Sequence, residues 1–223
     1  MFKVFVNSVQ IVTAKDGALA KKTQERREQL RRSLIDIAER RIAENGYPAL
    51  TAREVAGEAG CAVGAIYNIF PDMDALVAAV NSRTVARLEA AVASAFARDP
   101  SSALPKRALT LLGQTYFEFV LANPRLWSAI FELGFRASKD VPERQVAEHI
   151  HLIGHIVKPL RRLLPQESEE RLSLLAKSLF SAVHGIVSLG QQRRFMAVPP
   201  AEIAEQITFI VEAFCDGVVA RQG

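Results

Sequence analysis

"LTAREVAGEAGCAVGAIYNIFPDMDAL", residues 50–76, decides how this chain is read. Thr51 can cap a helix, and Glu54 three positions later completes a capping box. Val55, Ala56 and Ala59 give that helix a small apolar face, and Gly60 ends it after barely two turns. Cys61 and Ala62 make the turn, and a second short helix is predicted over residues 63–70. Pro71 prevents its continuation, and Asp72 caps the helix that follows. Helices this short do not persist alone, so the pair needs a third helix to brace it.

The brace lies just upstream. A helix is predicted from about Thr23 to Asn45, with Leu30, Leu34, Ile37, Ala38 and Ile42 on one stripe and Gly46 as its stop. Its other face is basic. Between Lys21 and Arg41 stand eight cations (Lys21, Lys22, Arg26, Arg27, Arg31, Arg32, Arg40, Arg41) and four anions (Glu25, Glu28, Asp36, Glu39). That local surplus equals the formal charge of +4 on the whole chain. Two readings stay open at this point: a solvated face laced with Glu/Arg pairs, or a surface for an acidic partner.

In a helix-turn-helix the second short helix enters the major groove, so its exposed side must be slim. Ile66, Ile69 and Phe70 are expected to point inward, leaving Val63, Gly64, Ala65, Tyr67 and Asn68 outside. The Tyr67 hydroxyl would then suit a phosphate, and the Asn68 amide a base or phosphate. Residues 24–80, with V-G-x-I-Y-x-x-F before a capped helix, resemble the TetR family of bacterial transcriptional regulators. The resemblance implies a homodimer that binds a palindromic double-stranded DNA operator, usually to repress, and releases it when a small molecule enters the C-terminal domain. Carried onto this chain it makes Thr51, Arg53, Val63, Gly64, Ala65, Tyr67 and Asn68 the DNA contacts, with Arg26 and Arg27 of the basic helix beside them. Arg53 is the candidate guanine reader, against a surface arginine paired with Glu54 or Glu58. One position departs from the pattern: Met73 stands where the family usually has a phosphate-touching lysine. That loss should weaken binding.

The rest of the chain reads as a helical bundle. At 223 residues, with 49% hydrophobic and 23% charged residues, it can bury a real core. Beyond residue 20 no segment alternates as a strand would, so the fold class is all-α. Three parts are expected: residues 1–20 a weakly ordered extension (an added strand being the alternative), 21–71 the helix-turn-helix domain, and 72–223 a ligand-binding and dimerisation bundle. Six helices are predicted in the last part, over 72–98, 105–122, 124–134, 142–164, 168–193 and 200–220, with Pro159 inside the fourth.

Candidate ligand-binding residues in the bundle are Tyr116, Trp127, Phe131, His151, His155, Phe180 and His184. Trp127, His184 and Gly185 resemble the effector-domain subgroup named for a W, H, G signature. His151 and His155 share a helix face with Glu148, but the H-E-x-x-H order is missing, so no metal and no cofactor is implied. The dimer interface is expected on the last two helices, at Leu179, Val183, Ile186 and Val187, then Ile207, Ile210, Val211, Phe214 and Val218. Cys61 and Cys215 form neither a disulfide framework nor a zinc motif, which suits a reducing cytoplasm. The least charged run, around His184, is too short for a membrane span, and no membrane partner is expected. No nucleophile with base and orienting partner is recognisable, so an enzyme is not expected. The alternative function is a helical ligand-binding or interaction protein whose DNA-binding module is weakened.

Overall fold

The computed structural model describes the backbone of residues 3–136, 143–191 and 197–221, and side chains over 21–133, 152–191 and 197–221. Among these residues there are nine α-helices, two 3-10 turns and no strand. The chain divides into two compact units, Met1–Val80 and Asn81–Gly223. The division falls inside a helix, and Leu76, Val77 and Val80, on its first-unit side, are wholly buried.

In that unit α1 spans Lys3–Asn45, α2 Ala52–Ala59 and α3 Val63–Tyr67. Helical backbone thus reaches back to Lys3, where the sequence suggests a start near Thr23, since no proline interrupts residues 3–45. The apolar stripe of α1 is buried at Leu34, Ile37, Ala38 and Ile42, together with Ile35. Gly46 ends the helix with φ 82° and ψ 162°, a backbone state open to glycine. α2 starts and stops as its sequence demands. Thr51 Oγ1 accepts the Glu54 N–H at 3.3 Å, and Gly60 takes the left-handed conformation at φ 65°. The reciprocal half of the capping box differs: the Thr51 hydroxyl donates to the Glu54 carboxylate at 2.8 Å, while the other carboxylate oxygen faces Arg41 at 3.4 Å. α3 closes after five residues, with the Asn68, Ile69 and Phe70 N–H groups turning back onto Gly64 and Ile66. Pro71 next in line explains the early end.

α4 (Met73–Arg98) is capped by Asp72, whose Oδ1 accepts the Ala75 N–H at 2.7 Å. The second unit continues with α5 (Pro105–Ala122), α6 (Pro124–Arg136), α7 (Glu143–Leu163), α8 (Glu169–Gln191) and α9 (Ile203–Val219). Every one of these lies within a few residues of its predicted span, and α7 runs through Pro159. α5 packs against both α7 and α9, and α8 joins α7 to α9. Gly113 lets α5 and α9 approach: a β-carbon there would meet Ile207 Cγ2 at 2.8 Å. Asn81 Nδ2 donates to the Ala129 carbonyl at 3.1 Å, tying α4 to α6.

One expectation is corrected here. Leu179, Val183, Val187, Ile207 and Val211, read as dimer-facing, are buried inside the protomer's own core. Ile186, Phe214 and Val218 are half-buried against that core, and Ile210 is half-buried too. Helical periodicity marks an apolar face without saying whether the same chain or a second one covers it. The large apolar side chains that α8 and α9 do expose among the described residues are Leu174, Leu189, Phe209 and Val219. By length and composition α8 is also apolar enough to cross a membrane, contrary to the estimate from its central run. Its apolarity has another use: Leu172, Leu175, Leu179, Val183 and Val187 are core residues.

Candidate functional site

Two places gather the candidate residues. The first is the outward side of α2 and α3. Ile66 and Phe70 are buried, while Val63 is 40% and Tyr67 48% exposed, with Gly64 and Asn68 exposed as well. Ala65 and Ile69 are half-buried. A β-carbon on Gly64 would meet nothing within 4 Å, so the absent side chain serves no packing need. Thr51 and Arg53 are exposed at the start of α2. Glu54 and Glu58, the alternative partners of Arg53, are taken by α1: Arg41 Nε lies 3.1 Å from Glu58 and Arg40 also pairs with it. Arg53 has no ion pair among the described residues.

The basic face of α1 therefore splits along its length. Arg40 and Arg41 fasten α2. Nearer the N-terminus, Arg26, Arg27 and Leu30 border an open groove whose other bank is Ala65, Asn68 and Ile69 of the α3 turn. Across it Arg27 Nη2 donates to the Asn68 carbonyl oxygen at 3.0 Å. Beside it the Arg31 guanidinium lies 5.5 Å from the centre of the Phe70 ring. Arg27, expected only as a DNA contact, thus also seats the end of α3, a role no sequence spacing announces. Arg27→Ala is expected to weaken operator binding about tenfold yet lower the thermal midpoint by only about 2–4 °C, since one such bond contributes about 1 kcal/mol. Operator titration beside calorimetry checks both numbers.

The second place is a cavity of about 120 Å³ in the α4–α9 unit. Of the seven residues expected at a ligand, Tyr116, Trp127, Phe131, His155 and Phe180 line it. The His151 side chain lies outside the described residues. His184 stands behind the wall, 4.4 Å from the Phe131 ring centre. Its Nδ1 is 2.8 Å from the Tyr116 hydroxyl, whose oxygen also receives the Trp127 Nε1–H at 2.8 Å. Donation from the Tyr116 hydroxyl to Nδ1, with the imidazole proton on Nε2, uses both the donor and the acceptor side of that hydroxyl, whereas the other tautomer leaves its proton without this acceptor. Burial pushes the Tyr116 phenol well above its ordinary pKa and His184 below 6.5. Elsewhere in the core Cys215 is held as a thiol, pushed up to about 11 by burial.

A His184 kept neutral by burial stabilises the fold above its unfolded pKa of about 6.5, and that contribution is lost as pH falls through the depressed folded value. The urea midpoint should drop between pH 8 and 5.5 in the native protein and drop less in His184→Gln. Equal slopes would reject the neutral imidazole.

Sequence reasoning missed the aliphatic part of the wall: Val85, Leu88 and Val92 of α4, and Leu152, Ile153 and Ile156 of α7. Leu179, Val183 and Val211, read as interface, also line it. Among the described residues no group of three His, Cys, Asp or Glu side chains could hold a metal.

The helix-turn-helix residues 34–80 match the family described as bacterial regulatory proteins, tetR family, and residues 109–214 match the tetracyclin repressor-like C-terminal domain. The chain belongs to the TetR family. It is a DNA-binding transcriptional regulator and not an enzyme. The C-terminal match of this TetR-family chain spans Trp127, His184 and Gly185. Its fold is shared with a protein of unknown function from Rhodococcus sp. RHA1, at 24% identity and TM-score 0.67 over 84% of this chain and 94% of that one. A TetR transcriptional regulator from the same organism matches at 15% identity and TM-score 0.58, over 84% of this chain and 96% of the other. A tetR-family regulator from Streptomyces coelicolor matches at 20% identity and TM-score 0.58, over 88% and 84%. No curated protein matches the TetR-family chain at the sequence level.

Proposed function

We propose that this TetR-family regulator is a cytoplasmic repressor that binds a palindromic operator as a homodimer and lets go when a small molecule fills the α4–α9 cavity. The observation that carries the reading is the outer side of α3. A glycine without packing duty, a valine, a tyrosine and an asparagine stand exposed over a buried Ile66 and Phe70, a surface slim enough for the major groove. Tyr67 and Asn68 are then the phosphate and base contacts, and Arg53 the guanine reader. Two such helices about one DNA turn, roughly 34 Å, apart would double the contacts, which is the physical reason for a dimer. Exposed Leu174, Leu189, Phe209 and Val219 on α8 and α9 support pairing through those helices. The apolar cavity supports an effector.

The test is a binding titration with the DNA flanking the chain's own gene. Tyr67→Ala should lose about tenfold or more in affinity, as removal of one positioning contact does, with the oligomeric state unchanged by sedimentation. Full affinity in the variant would remove α3 from the groove.

A further inference from the structure

The cavity's chemistry narrows what can enter it. Among the described residues no Asp, Glu, Lys or Arg side chain lines the wall. Two of its polar groups are spent on one another, the Trp127 N–H on Tyr116 and the Tyr116 hydroxyl on His184, and the third is the His155 imidazole, whose buried Nε2 makes no hydrogen bond among the described residues. Opposite a neutral imidazole an ionised guest leaves water without a countercharge among these residues, a cost of several kcal/mol before any contact forms. The space between the described residues is small as well. A dry cavity of about 150 Å³ lined by Leu, Ile and Phe takes up benzene, and this one, at about 120 Å³, is of that order. Its shape is set by rings. Tyr116 meets Trp127 at 6.5 Å and Phe180 at 6.1 Å, both edge to face, and Trp127 meets Phe131 at 5.2 Å. A flat ring inserted among them finds both π faces and ring edges to pack on, which an open chain of equal size uses less well.

We propose that the cavity selects an uncharged, weakly polar aromatic molecule of about single-ring size, and discriminates against organic anions and cations of the same shape. The inference rests on the effector reading above, and it is separable from it by experiment.

Trp127 is the chain's single tryptophan and forms part of the wall, so its emission reports occupancy of the unmodified full-length protein without a label. At pH 8, where an ordinary imidazole is neutral, the probes are toluene, benzoate, benzylammonium and hexan-1-ol. Toluene should change the emission saturably, hexan-1-ol should bind about tenfold more weakly, and both ions about a hundredfold or more weakly. Benzoate or benzylammonium binding as tightly as toluene would overturn the charge argument. Hexan-1-ol binding more tightly would overturn the ring argument, and no response to any probe would overturn both. A cavity-filling Leu88→Phe variant, checked for folding by its helical circular dichroism, should lose the toluene response; a folded variant that keeps it would place the site elsewhere. The same probes added to the operator complex separate the two proposals. Toluene that binds but leaves the operator occupied defeats effector release and leaves the cavity's selectivity standing, whereas release by benzoate without toluene binding does the reverse.

Discussion

Gly64→Leu should leave the protein folded and reduce operator affinity about a thousandfold. A β-carbon at this position has open space around it, and a leucine is preferred over glycine inside a helix by about 1 kcal/mol, so the thermal midpoint should hold or rise. On the DNA side the same side chain would stand on the exposed face of α3 between Val63 and Tyr67. It would hold the helix backbone away from the groove floor and break several contacts together, taking specific binding toward its nonspecific level, about three or more orders of magnitude weaker. An operator titration of the folded variant within tenfold of the native protein would show that α3 does not dock by this face.

The second large effect is expected in the second unit, and it concerns stability. Gly113→Val should lower stability by about 3 kcal/mol, because the new side chain enters the contact between α5 and α9. The neighbour it meets first, Ile207 Cγ2 at 2.8 Å, belongs to a β-branched and wholly buried side chain that cannot swing aside. Val211 Cγ2 at 3.8 Å and Val183 Cγ1 at 4.0 Å close the remaining directions. For a chain of this length the midpoint should fall by roughly 6–12 °C in calorimetry. A fall of under about 2 °C would mean that the two helices part at little cost.

The two glycines also mark the limits of what a sequence discloses. Gly64 was legible because the helix-turn-helix is a local object: a cap at Thr51, a stop at Gly60 and a break at Pro71 confine a short helix whose inside and outside follow from spacing alone. The helices of the bundle were legible for the same reason, each being bounded by its own prolines and polar breaks. Gly113 was not, since its constraint comes from Ile207, ninety-four residues away in sequence. The cavity's aromatic residues stood out by type, whereas Leu88, Val92 and Ile153 look like any core position until the fold leaves space beside them. Val183 and Val211 show the same blindness in reverse: a face assigned to a second chain is covered by the first. His184 was singled out without its mechanism, because its tie to Trp127 passes through Tyr116.

The arginines of α1 carry one more consequence. Arg40 and Arg41 already sit on Glu54 and Glu58, and Arg27 on the end of α3, so these charges are partly neutralised or positioned before DNA arrives. Fewer condensed counterions are then displaced from the duplex than eight free cations would expel, each worth about 0.9 in the logarithmic dependence of affinity on ionic strength. Recognition by this molecule leans correspondingly more on fit to the bases and less on bulk attraction.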